Sequence, residues 1–202
     1  ILFLAGVFWM SRARSSQRSR LVFVPPSAVP SQPVHAARLT TAKRTAIDGK
    51  PTRVGSVVFA GVPVEVTAGG VAEATLNRGG RDRVLSRSQA IFSAQGNAIE
   101  LKAGKVWSKV DNHSEPFRVR TDHGEARALS ATFIVERTAA GETEVRVVRG
   151  SVEVEDGQHR GVVQVKRGQR LTATGSAGPV ELRVLADAQP GQAVPVASVV
   201  PG

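Results

Sequence analysis

The chain has 202 residues, of which 41% are hydrophobic, 22% charged and only 4% aromatic, with 20 Gly and 11 Pro. This is the makeup of one turn-rich globular domain with attachments, and it excludes a long-helix protein or a wholly disordered one. No cysteine is present, which excludes a disulfide framework, a thiol nucleophile and a thiolate metal site. The formal charge is +10, and residues 1–50 hold eight cations against a single acid, so the basicity reads as that of a leader rather than of the body.

The first ten residues, I-L-F-L-A-G-V-F-W-M, are apolar and give way at once to S-R-A-R-S-S-Q-R-S-R. A membrane-spanning helix needs about 20 apolar residues, so residues 1–11 are expected to be the end of an anchor helix, with Trp9 at the interface. The arginines that follow suit anionic headgroups, at about 1 kcal/mol per cation near the surface. They also conflict with an envelope location, because the positive-inside rule would hold a chain with this flank in the cytoplasm. Residues 12–54 contain Pro25, Pro26, Pro30, Pro33 and Pro51 among small and basic residues, and are expected to form an extended linker.

From Gly55 the texture changes to short alternating runs separated by glycine-bearing turns. Strands are expected at Val57–Ala60, Val64–Val66, Ala72–Leu76, Ala90–Ser93, Ile99–Lys102 and Val106–Val110. They continue at Phe117–Thr121, Thr132–Glu136, Val145–Arg149, Val152–Glu155, Val162–Lys166, Leu171–Thr174 and Glu181–Leu185. The period of two puts one face in a core and one in water, as in a short-stranded β-sandwich or a solenoid-like stack. Glycines open the similar segments G-S-V-V-F at 55, G-K-V-W-S at 104 and G-S-V-E-V at 150, and are expected to mark chain reversals. The β-domain is expected to span 55–186, followed by a flexible tail at 187–202.

Enzyme signatures are sparse: no phosphate loop, nucleophile elbow or H-E-x-x-H occurs, and the chain has four histidines and no tyrosine. The densest polar constellation is D-N-H-S-E-P with the following D-H pair. Asp111, His113, Glu115, Asp122 and His123 are therefore the candidate partner-contact residues. Alternation along a strand would place Asp111, His113 and Glu115 on one face as an imidazole-carboxylate set, but the composition fits an exposed turn better, and no metal or cofactor is expected. Trp107, Phe117 and Phe133 are expected to pack in the core or on a sheet face. Nucleic acid is not expected as a partner, since no basic run is interleaved with aromatics and no helix-turn-helix pattern occurs.

Four blocks in order, L-K-A-G-K-V-W at 101–107, P-F-R-V-R-T-D-H-G-E-A-R-A-L-S-A-T-F-I-V at 116–135, V-R-V-V-R-G-S-V-E-V at 145–154 and V-V-Q-V-K-R-G-Q-R-L at 162–171, resemble the FecR domain family. The family's usual Gly-Thr before x-Phe is replaced here by Ser130-Ala131. The resemblance implies a non-catalytic extracytoplasmic β-domain, held by one membrane helix at the periplasmic face of a bacterial inner membrane. It further implies a relay that recognises an envelope protein, with a TonB-dependent transducer as one candidate, and regulates a sigma factor. The competing expectation is a structural or cell-wall-binding scaffold. In either case the polar faces and edges of short strands are the surfaces a partner strand could join.

Overall fold

A computed structural model of the chain describes residues 33–77, 80–111, 114–156, 161–174, 181–186 and 197–198, and within them the helix and strand elements are all strands. In chain order these are β1 (His35–Ile47), β2 (Lys50–Pro51), β3 (Val57–Phe59), β4 (Pro63–Leu76), β5 (Arg81–Val84), β6 (Ser88–Phe92) and β7 (Ala98–Val110). They are followed by β8 (Phe117–Thr121), β9 (Gly124–Ala128), β10 (Ala131–Arg137), β11 (Thr143–Asp156), β12 (Val162–Lys166), β13 (Gln169–Thr174), β14 (Glu181–Ala186) and β15 (Ala197–Ser198). The all-β expectation holds.

Four long strands, β1, β4, β7 and β11, organise the rest, because each half of a long strand pairs with different short strands. The first half of β7 pairs with β6 and β8, and its second half with β5 and β10. The first half of β11 pairs with β10 and β13, and its second half with β9 and β12. One layer therefore runs β3-β1-β4-β5-β7-β10-β11-β13-β14-β15, and the other β2-β1-β4-β6-β7-β8-β9-β11-β12. The long strands cross from one layer to the other. Among the described residues every pairing is antiparallel except β7 with β8.

The crossings have a local cause. Each long strand carries one residue of positive φ in its interior: Arg44 in β1 (50°), Gly69 in β4 (72°), Gly104 in β7 (79°) and Gly150 in β11 (80°). In β7 the buried positions are Ile99 and Leu101 before the bend, and Val106, Ser108 and Val110 after it. In β11 they are Thr143, Val145 and Val147 before, and Val152 and Val154 after. One extra residue at the bend resets the alternation, so both halves turn their apolar side toward the same interior. Gly104 and Gly150 are thus bends inside strands, which corrects the expectation of chain reversals there, and the runs expected as separate strands on either side of each are fused. A side chain would not fit at either site. A Cβ on Gly104 would lie 2.3 Å from Ser88 Oγ, and one on Gly150 would lie 2.5 Å from the Ser130 carbonyl oxygen.

The buried side chains of both layers form a single cluster, with Phe92, Phe133, Leu39, Ile99, Leu101 and Leu171 the largest. Leu39 belongs to β1, and its burial contributes roughly 1.5–3 kcal/mol. The linker expected through residue 54 is therefore corrected: β1 pairs along β4, and Ala36, Ala37 and Leu39 are buried. Small inward residues and the preceding prolines disguised this strand. The charge assignment changes with it, since Arg38, Lys43, Arg44 and Lys50 sit in the sheet rather than in a leader. Residues 33–202 carry 23 cations and 17 acids, a balance of +6. The anchor expected at 1–11 lies outside the described residues, among which no helix is long and apolar enough to cross a membrane. Within the tail expected from 187, β15 pairs with β14, and the remainder lies outside the described residues.

Candidate recognition surfaces

The two polar segments singled out in the sequence flank opposite ends of β8. Asp111 follows β7 as an exposed residue, its carboxylate 3.4 Å from Lys109 Nζ. Glu115 is exposed just before β8, and His113 lies outside the described residues. Asp122 and His123 form the two-residue turn between β8 and β9. Six residues lie between Glu115 and Asp122, five of them the extended strand β8, a span of about 20 Å. The structure therefore does not bring the two segments together, and among the described residues no group of three His, Asp or Glu side chains converges as a ligand set.

The first segment borders a groove directly, and the second is linked to one through Arg137. At the β8–β9 turn, Arg137 Nη2 reaches the Asp122 carboxylate at 2.7 Å, while its Nη1 donates to the Lys102 carbonyl oxygen at 2.5 Å. Thr143 Oγ1 donates to Thr121 Oγ1 at 2.9 Å, and the His123 backbone N–H donates to the same oxygen at 3.2 Å, so the turn is tied to the start of β11. Arg137 also lines a groove of about 720 Å³ beside the β7 bend, together with Arg87, Lys102, Lys105 and Glu136. At the other end of β8, Ser114 and Pro116 border a groove of about 560 Å³ shared with Arg127, Leu129, Glu153 and Gln164. Both are open and lined by apolar and charged groups together, suited to a peptide or a loop rather than to an enclosed small molecule.

The outer face of the second layer carries a closed charge network. Glu125 on β9 accepts from Arg120 at 2.5 Å and from Arg127 at 2.6 Å, with Arg118 at 3.6 Å, and Arg127 also pairs with Glu155 on β11. Burial pushes the Glu125 carboxyl up, but the hydrogen bonds and charges of Arg120 and Arg127 together outweigh it and hold the group below its ordinary value. This face is largely self-neutralised.

Of the three strand aromatics, Phe117 and Phe133 are buried, as expected for core residues, whereas Trp107 is half-buried on the outer face of the first layer. Its cross-strand neighbours are Arg83 on one side and Ile134 on the other. The Arg83 guanidinium carbon lies 5.6 Å from the Trp107 ring centre, a cation-π contact. Trp107, Ile134 and Arg83 were not among the candidate contacts. The run K-V-W-S-K-V carried the signal, because inward Val106, Ser108 and Val110 force Lys105, Trp107 and Lys109 outward.

Residues 63–153 match the FecR protein family, a span that opens with β4 and closes in the second half of β11. Two crystal structures of a proposed anti-sigma factor from Parabacteroides distasonis share the fold with a TM-score of 0.52 each, at 20% and 19% identity. Each likeness covers 58% of this chain and 57% of the other, so the chain spans little more than half the length of those structures. No curated protein matches the chain.

Proposed function

From the FecR-family domain at residues 63–153 we propose that this chain is a non-catalytic, membrane-anchored signal relay of the sigma-factor-regulating type, working at the periplasmic face of a bacterial inner membrane. The observation that carries the reading is the place of that match in the fold. It covers β4, β7 and most of β11, three of the four strands that join the layers, together with the short strands between them. The likeness to the Parabacteroides protein supports the same direction, since that protein is described as a proposed anti-sigma factor. A rigid two-layer body with exposed polar faces is suited to reading a partner by surface contact. The partner is an envelope protein, with a TonB-dependent transducer as one candidate, and the segment ahead of the sheet holds the domain at the membrane.

The test is deletion of the gene in its native host followed by transcript profiling, with the full-length gene restored in a second strain. A relay of this type changes a discrete set of transcripts sharing a promoter class, and restoration reverses the change. Unchanged transcription accompanied by altered cell-wall integrity would instead establish the scaffold reading.

A further inference from the structure

The outer face of the first layer is built unlike that of the second. Arg38, Thr75, Arg81, Lys109, Thr132 and Arg149 follow one another across β1, β4, β5, β7, β10 and β11, four cations in a row that contains no carboxylate. The adjacent row reads Glu73, Arg83, Trp107, Ile134, Arg146 and Arg170. Its two ends are under-neutralised in the same way. Glu73 serves both Arg83 (3.0 Å) and Arg81 (3.6 Å), and Glu144 serves both Arg146 (3.1 Å) and Arg170 (3.6 Å).

Two pairs of like charges stand directly opposite each other on neighbouring strands, Arg81 with Lys109 and Arg146 with Arg170. Directly opposed like charges destabilise a sheet. Asp111 beside Lys109 (3.4 Å) and the shared Glu73 and Glu144 offset part of this repulsion, and an anionic partner would relieve the remainder around an apolar centre formed by Trp107 and Ile134. The two rows lie two residues apart along the strands, about 7 Å, which is also the repeat of same-face side chains in an extended peptide.

We infer that this face, centred on Trp107 and Ile134, docks an acidic extended segment of the partner protein, with one apolar side chain of that segment seated on the Trp107–Ile134 pair and its carboxylates on the flanking cations. The inference rests on the reading that the domain recognises a protein partner, and it names the surface and the chemistry of that recognition. A peptide is favoured over a lipid surface because Trp107 is half-buried and capped by Arg83, held in the sheet rather than free to insert into a bilayer. Charge of this kind contributes chiefly to association rate and selectivity, and the aromatic anchor to residence.

The experiment uses the full chain and a dye-labelled peptide of alternating Glu and Asp around one central Leu, with its Gln/Asn counterpart as control, followed by fluorescence anisotropy. The acidic peptide should bind at least about tenfold more tightly than the neutral one, and binding should weaken as salt rises. Arg81→Gln combined with Lys109→Gln, both at exposed positions, should cost about tenfold, and Trp107→Ala about thirtyfold. Lys166→Gln, on the second layer, should leave binding unchanged.

Equal affinity for both peptides would overturn the inference. So would losses that are the same for the Lys166 variant, or binding of phosphatidylglycerol vesicles or single-stranded DNA in place of the peptide. In the native host, a photocrosslinker at position 109 should capture an envelope protein whose own deletion changes the same transcripts as deletion of this gene. Capture of that protein only through position 166 would overturn the face while leaving the relay intact. Unchanged transcription on gene deletion would remove the relay whichever face binds the peptide.

Discussion

Asp82 stands directly opposite Ser108 where β5 pairs with β7, and both side chains point into the core. Its other cross-strand neighbour is Ala74, and Ser108 in turn faces Phe133 across β10, so a carboxyl group lies among apolar side chains. Among the described residues neither Asp82 Oδ2 nor Ser108 Oγ makes a hydrogen bond of regular geometry. Burial pushes the Asp82 carboxyl from 3.8 up to about 7, and the nearby Ser108 hydroxyl offsets only part of that rise.

The sign of the consequence is fixed by this rise. Between pH 4 and 7 the unfolded chain releases the Asp82 proton while the folded chain retains it, so unfolding becomes easier as pH increases through that window and levels off above it. The full effect is roughly 4 kcal/mol at neutral pH. Asp82→Asn should abolish this component, so the variant gains stability relative to the parent as pH rises from 4 to 8. Urea unfolding of both proteins across that range tests it, and parallel pH profiles would show that Asp82 is not the group responsible.

Glu125 predicts the opposite dependence. Its carboxylate is held below the ordinary value by Arg120 and Arg127, so its contribution is present above the unfolded carboxylate range and is lost as pH falls through the depressed folded value. Glu125→Gln should destabilise the protein by about 1–2 kcal/mol at pH 7, with a smaller effect at high salt. The difference should shrink as pH falls below the unfolded carboxylate range, which thermal unfolding of the pair at pH 7 and across a descending acid series would reveal.

The bends in the long strands should tolerate no side chain. At Gly104 a Cβ would press on Ser88 Oγ and on the Arg87 carbonyl oxygen at 2.4 Å, in a left-handed backbone that already disfavours alanine. Gly104→Ala is expected to cost more than about 3 kcal/mol, and Gly150→Ala a similar amount. Gly168 also has positive φ but nothing within 4 Å of its Cβ position, so Gly168→Ala should cost only about 1 kcal/mol. Chemical denaturation of the three variants separates crowding from backbone strain.

The sheet should fail without its first strand. A chain beginning at residue 55 loses the inward residues Ala36, Ala37 and Leu39 and leaves the edge of β4 uncovered. It is expected to aggregate or to lack cooperative unfolding, whereas a chain beginning at residue 33 should unfold cooperatively. Leu39→Ala in the full chain should cost about 2–5 kcal/mol, measured by the shift in denaturation midpoint.

Most of the domain's strands were legible because their inward positions are Val, Ile, Leu or Phe, which makes the period of two plain. The strands that escaped notice have small or polar inward residues: Ala36 and Ala37 in β1, Asp82 in β5, and Ala126 and Ala128 in β9. Alternation is a hydrophobic signal, and alanine or a buried carboxyl carries little of it. Asp111, Glu115 and Asp122 are exposed, yet a five-residue strand, β8, holds the two segments apart, and no linear spacing expresses that separation.

The sequence by itself determined the all-β class, the absence of thiol chemistry and the resemblance carried by residues 101–171. These follow from composition and local alternation, which are properties of neighbours along the chain. The tertiary structure decided where the charge goes. A net charge first divided between a leader and a body became four cations in one row on one sheet face, and a closed ion network on the other. The reason is that neighbours across a sheet lie about 5 Å apart however distant they are in the chain, so Arg38 and Arg149 join one surface only when six strands stand side by side.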